Sequence, residues 1–181
     1  MQTTSSPIPT VPTPTLPTPH LVARIFPATP LANIEANLPA VLAALAAANL
    51  ADESMLLMAL ATIRAETEVF LPLSEGQSRF NTSPGGHPFD LYDHRKDLGN
   101  QGPPDGASFR GRGFVQLTGR ANYTHYARLT GHDLVANPSL ACEPAIAAEL
   151  LDRFTAAYHA GAQLIATPDH QTAGTQSVVR T

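Results

Sequence analysis

The feature that most constrains the fold is the stretch 71–112, which is dense in Pro, Gly, Asn and Asp and has little periodicity. A structureless run of this length is uncommon inside a compact domain and is usually functional when it occurs. Apolar residues at helical spacing precede the run and return after it. The sequence therefore predicts a mainly α-helical domain with long loops and, at most, short strands.

Helical spacing of apolar residues predicts a first helix over 33–49, although Pro39 also suits the first turn of a helix that begins there. Asp52 is predicted to cap a second helix that runs to about Glu66. This second helix is apolar on nearly every side, which predicts a place in the middle of the domain. Regular structure is then predicted at 114–117, and further helix at 123–129 and 143–164.

Composition divides the chain into three parts and excludes some classes of function. Residues 1–20 are rich in Pro and Thr and predict a flexible tail, 21–166 form the domain, and 167–181 predict a polar C-terminal tail. Hydrophobic residues make up 43% of the chain and charged residues 14%, which is enough for a core. The net charge of −4 argues against nucleic-acid binding, because such proteins are usually basic.

The sequence gives no sign of export, membrane insertion or a thiolate metal site. Residues 1–19 contain no Lys or Arg and no apolar stretch typical of a Sec signal peptide, so we expect a cytoplasmic protein unless another route releases it. No stretch approaches the roughly 18 consecutive apolar residues of a membrane helix. Cys142 is the single cysteine, which excludes an internal disulfide and a multi-thiolate metal site.

Two glutamates are candidates for acid–base chemistry. Glu66 lies at the end of the predicted apolar helix, where desolvation would raise its pKa as a general acid requires. Pro72 stops the helix, so Glu75 follows on a loop and could face Glu66 across a cleft. Taken alone, two glutamates at this spacing are also typical of solvated surface carboxylates.

Neutral hydrogen-bonding side chains follow the two glycines of the stretch 109–123. Glycine permits close approach of the backbone to a ligand or to another segment. Gln116, Thr118 and Asn122 then offer the amide and hydroxyl groups that bind sugars, and Gln116 and Thr118 share a face if this piece is extended.

Several motifs in combination resemble those of family 19 chitinases and endolysins. The run from Arg112 to Tyr123 is similar to the family signature G-R-G-(I/V/F)-Q-L-(S/T)-x-x-x-N-Y. The segment from Ala65 to Phe70 resembles the motif H-E-(T/S)-G-x-(F/W), with Ala65 in place of the usual His. The loops 81–86, 92–100 and 133–138 are also similar, so the likeness covers about residues 25–141.

The resemblance implies a lysozyme-like helical fold with a substrate cleft and an inverting endo-hydrolase that needs no cofactor or metal. The substrate would be a β-1,4-linked N-acetylglucosamine polymer, chitin or peptidoglycan, and the enzyme a monomer. Glu66 matches the general acid and Glu75 the general base, while Thr118 falls where a hydroxyl holds the attacking water. Three further residues fall on sugar-binding positions: Gln116, Asn122 and Tyr123.

The chain departs from the family pattern near its C-terminus. Residues 147–150 run directly into 151–158, which resembles the family's terminal helix, as if about thirty residues and an N-G-G motif had been lost. Arg153 matches an arginine that the family links to the catalytic acid, but its carboxylate companion is missing from the pattern. We therefore expect a marginal fold and impaired activity.

Three functions remain open from the sequence. The first is the hydrolase itself. The second is a non-catalytic amino-sugar-binding remnant that retains the site without turnover. The third is a partner-binding or structural protein that uses the Pro-rich tail.

Overall fold

The computed structural model describes residues 16–159, and the chain in this range is mainly α-helical, as predicted. Seven α-helices and two short strands follow in chain order: α1 (Pro19–Ala23), α2 (Leu31–Ala47), α3 (Glu53–Glu66), β1 (Leu73–Ser74), α4 (Asp90–Asp93), α5 (Asp105–Ser108), β2 (Arg112–Gly113), α6 (Arg120–Thr130) and α7 (Pro144–His159). Two 3-10 helices lie at Lys96–Leu98 and Pro138–Cys142. Residues 1–15 and 160–181 lie outside the described residues, and these include most of the predicted tail 1–20, all of the predicted tail 167–181 and the end of the helix predicted over 143–164.

The main core forms where α2 packs on α7, with α3 against α7 as well. The buried side chains of α2 follow helical spacing: Ile34, Leu38, Val41 and Leu45. Burial of each such side chain contributes roughly 1.5–3 kcal/mol. Three phenylalanines from different segments meet edge to face in the same core: Phe26, Phe70 and Phe114.

Helix α2 begins at Leu31 and continues through Pro39, so the idea that a helix begins at Pro39 is wrong. Proline cannot donate to the carbonyl four residues earlier, here that of Glu35. Pro39 and Glu35 are both exposed, so water can satisfy that carbonyl. The break in the hydrogen-bond ladder therefore lies on the outer face of the helix.

Helix α3 begins as predicted, because the Asp52 carboxylate accepts from the backbone N–H groups of Ser54 and Met55 at 3.0 and 3.1 Å. The prediction that α3 lies in the middle of the domain is wrong for one face of the helix. Leu57 is 55% exposed and, with Leu21 and Ile25, lines an open apolar groove between α1 and α3 of about 600 Å³. The five-residue α1 is too short to cover this face.

The loop-rich stretch 71–112 is folded by short elements rather than by long ones. Strands β1 and β2 pair antiparallel, with Leu73 opposite Gly113. Helices α4 and α5 pack on each other, and Phe89, Tyr92 and Leu98 form a small second core beside them. This arrangement fixes the segment that carries Glu75.

Helix α7 runs without interruption across the junction where a segment was expected to be missing. Ala147, Ala148, Leu150 and Leu151 are each at most 1% exposed. The two flanking pieces thus join into one helix whose inner face fills the core. Within 16–159, no helix is both long and apolar enough to cross a membrane.

Candidate active site

Glu66 is the last residue of α3 and is half-buried. Burial raises the pKa of its carboxyl group above the ordinary value of 4.5. Among the described residues, no group donates a hydrogen bond to this carboxylate and no cation pairs with it. A desolvated carboxyl without a charged partner holds its proton to higher pH, which suits a general acid.

Glu75 follows β1 directly and has very different surroundings. Its Oε1 atom accepts from the Tyr92 hydroxyl at 2.9 Å and from the Asn81 amide at 3.0 Å. Its Oε2 atom accepts from the Gly111 backbone N–H at 3.1 Å. The Glu75 backbone N–H in turn donates to the Gly111 carbonyl at 2.7 Å. An ionised carboxylate only accepts hydrogen bonds, so all three donors match its charged form.

Residues 112–117 form a tight turn, so the expected regular structure at 114–117 is wrong. Arg112 and Leu117 exchange backbone hydrogen bonds at 3.2 and 2.8 Å. The turn needs left-handed backbone at Gly113, with φ +78°, and at Gln116, with φ +46°. Gln116 then donates to the carbonyls of Leu73 and Gly113, both at 3.0 Å, which holds the turn against β1.

Gly111 brings three of the predicted site residues together. A methyl group at this position would lie 2.8 Å from Gln116 Oε1, 3.2 Å from Thr118 Oγ1 and 3.3 Å from Glu75 Oε2. These three oxygens, from an amide, a hydroxyl and a carboxylate, therefore converge on Gly111 so closely that no side chain fits there. A carboxylate and a hydroxyl that lie near each other are groups that can bind one water molecule beside a base.

Thr118 and Asn122 continue this polar arrangement into α6. The Thr118 hydroxyl donates to the Gln116 carbonyl at 2.8 Å, and the Asn122 amide donates to the Thr118 carbonyl at 2.9 Å. Thr118 is 3% exposed and Asn122 is half-buried. Asn122 therefore anchors the turn that presents Thr118.

Tyr123 lies behind the site and not on its surface. It is 0% exposed, and its hydroxyl donates to the Arg110 carbonyl at 3.0 Å and accepts from Arg112 at 2.9 Å. Burial raises the pKa of this hydroxyl to about 12, partly offset by Arg112. Tyr123 thus holds β2 in place, and its predicted contact with sugar stays a prediction.

Arg153 lies on the exposed side of α7. Its guanidinium is 3.6 Å from the Glu149 carboxylate one helical turn earlier, so it has a carboxylate companion from its own helix. Glu149 is shared with His132 at 3.0 Å. The predicted link between Arg153 and the catalytic acid is not among the ion pairs of the described residues.

The sequence prediction missed the two side chains that bind Glu75. Asn81 and Tyr92 stand in segments that resemble the family, but no role in holding a carboxylate was predicted for either. Tyr92 and Phe89 are only 6% and 4% exposed and belong to the small second core, whereas Phe80 is 48% exposed. Tyr92 lies 17 residues from Glu75 along the chain and Asn81 lies six residues away in an irregular loop, so neither contact leaves a spacing signal in the sequence.

No cluster within 16–159 brings together three or more His, Cys, Asp or Glu side chains that could hold a metal ion. His87 instead pairs with Asp93 at 3.0 Å, and Asp90 accepts from the Ser83 backbone at 2.7 Å. No protein-family model matches this chain, and no curated protein matches it either.

Proposed function

We propose that this protein is an inverting endo-hydrolase of β-1,4-linked N-acetylglucosamine polymers, either chitin or peptidoglycan. The observation that carries the proposal is the group around Gly111, where Glu75 Oε2 and the Thr118 hydroxyl oxygen converge on the same side of the glycine. A carboxylate beside a hydroxyl can hold a water molecule and take its proton. Glu66, with its raised pKa, supplies the second carboxyl group that glycosidic cleavage needs.

Both carboxyl groups take part in the proposed reaction. Glu66 gives its proton to the glycosidic oxygen, and the bond from this oxygen to the anomeric carbon breaks. Water attacks that carbon from the opposite face and loses a proton to Glu75. An inverting pair requires the two carboxyl groups to be about 6.5–9.5 Å apart, which leaves room for the water.

The test is hydrolysis of defined N-acetylglucosamine oligomers and of purified cell walls. We expect new reducing ends, with the α-anomer released first from a β-linked oligomer, as seen by proton resonance before mutarotation. An initial β-product would exclude Glu75 as the base, because a retaining route needs carboxyls about 5–5.5 Å apart or substrate assistance. Binding of oligomers without new reducing ends would favour a non-catalytic sugar-binding protein.

A further inference from the structure

The two oxygens of the Glu75 carboxylate are not equivalent. Oε1 accepts two hydrogen bonds, from Tyr92 and from Asn81. Oε2 accepts one, from the Gly111 backbone. Each carboxylate oxygen has about two acceptor positions, so those of Oε1 are filled and Oε2 retains one. Oε2 is also the oxygen that lies beside Gly111 together with the Thr118 hydroxyl oxygen.

We propose that Tyr92 and Asn81 are positioning residues that occupy Oε1 and thereby make Oε2 the atom that takes the proton from the attacking water. This inference rests on the proposed function, because it assigns the base to one atom of Glu75. Neither side chain faces the substrate: Tyr92 is 6% and Asn81 is 1% exposed.

Both positioning residues are themselves fixed. Asn81 accepts from the Ser78 backbone N–H at 2.8 Å and from the Thr82 hydroxyl at 2.9 Å, so its amide group can present only its NH₂ side to Glu75. The Tyr92 ring packs in the small core with Phe89. Burial, and then the charge of Glu75, raises the pKa of the Tyr92 hydroxyl, which therefore stays a donor at any working pH.

The chain offers a matched control for Tyr92. Tyr126 is 2% exposed, and its hydroxyl has no hydrogen-bond partner among the described residues. Both Tyr92→Phe and Tyr126→Phe remove one buried hydroxyl and keep the ring. Tyr92→Phe alone removes a hydrogen bond to a carboxylate, so the difference between the two variants isolates that bond.

The experiment measures kcat, KM and their pH dependence on N-acetylglucosamine oligomers for wild type and both variants. For Tyr92→Phe we expect kcat to fall about tenfold or more, the scale of a hydrogen bond to a charged group. We expect KM to change less than twofold and the pH dependence of kcat to differ from that of wild type, because the hydrogen bonding of the proposed base has changed. Tyr126→Phe should match wild type in all three, and equal profiles for the two variants would overturn the proposal.

A second measurement does not depend on turnover. In protein labelled with ¹³C-glutamate, the chemical shift of the Glu75 carboxyl carbon at pH 7 should be displaced in Tyr92→Phe, because one hydrogen bond to Oε1 is lost, and should match wild type in Tyr126→Phe. If wild type cleaves no oligomer but this displacement is seen, the proposed function fails and the positioning of Glu75 stands. If oligomers are cleaved and no displacement is seen, the positioning role is wrong and the hydrolase proposal survives.

Discussion

The end of α3 and the loop after β1 each present one glutamate, and the two surroundings are opposite. Glu66 is desolvated and accepts no hydrogen bond within 16–159, whereas Glu75 accepts three. An apolar setting favours the neutral form of a carboxyl group, and a ring of donors matches the charged form. Two identical side chains can therefore take the acid and the base roles because their surroundings separate them.

The largest expected effect comes from substitution of Glu66, the proposed general acid. Glu66→Gln should lower kcat by about 10²–10⁴-fold, the usual worth of a general acid, while oligomer binding stays close to wild type. Glu68→Gln is the matched control, because Glu68 is exposed and two residues away. Steady-state rates and binding isotherms for both variants test this prediction. Equal turnover of wild type and Glu66→Gln would show that Glu66 is not the general acid.

The same substitution has a consequence for stability. The raised pKa of Glu66 means that its ionised form is less favourable in the folded protein than in the unfolded chain. This cost is present at neutral pH and disappears as the pH falls through the folded-state pKa toward 4.5. The melting temperature of Glu66→Gln at pH 7 should therefore be no lower than that of wild type, which separates lost catalysis from lost folding.

The second prediction concerns the basic limb of the pH–rate profile. Glu66 must be protonated to act as the acid, so kcat should fall about tenfold per pH unit above its folded-state pKa. Burial places this limb at higher pH than the ordinary carboxyl value of 4.5. Rates on oligomers across the pH range provide the measurement. The residual activity of Glu66→Gln should lack the limb; if the limb persists there, another group causes it.

The third prediction concerns Gly111, which lies beside the proposed base Glu75. In Gly111→Ala the new methyl group would lie too close to Gln116 Oε1, Thr118 Oγ1 and Glu75 Oε2, so these oxygens would have to move. We expect kcat to fall by up to about 10²-fold, the cost of a displacement near 1 Å at a reacting centre. Kinetics of the purified variants measure the effect. Gly76→Ala is the control, because a methyl group there meets nothing within 4 Å. Similar rates for the two variants would show that the arrangement of oxygens around Gly111 does not contribute to turnover.

The comparison also shows what the sequence could and could not predict. The Asp52 cap and the end of α3 near Glu66 follow from local rules, and the structure confirms them. The surroundings of Glu75 depend on Asn81, Tyr92 and Gly111, which reach it only once α4 and β2 have folded around β1. Local periodicity contains no information on such contacts.

Two other errors have similar causes. The exposed face of α3 could not be predicted, because burial of Leu57 depends on the length of the neighbouring α1. The sequence predicts regular structure at 114–117 because three of these four residues are apolar, and one of the two left-handed residues of the turn is Gln116 rather than glycine. Side chains such as glutamine rarely adopt that backbone conformation, so the sequence did not indicate it.

The smallest expected effect tests whether desolvation alone marks a catalytic carboxyl. Asp152 on α7 is 2% exposed, its Oδ1 atom has no partner among the described residues, and burial raises its pKa above 3.8, offset in part by Arg153. It thus resembles Glu66, yet it is buried in the core, and the carboxylate whose charge acts on it is Glu149, which pairs with His132 and Arg153. Asp152→Asn should leave kcat within about twofold and raise the free energy of unfolding at pH 7 by about 1 kcal/mol, the scale of a poorly satisfied buried polar group.

A raised carboxyl pKa lowers stability at pH values above it, so this gain should shrink as the pH falls toward 3.8. Urea unfolding at several pH values measures the gain, and a loss of turnover as large as that of Glu66→Gln, with folding intact, would instead place α7 in the site.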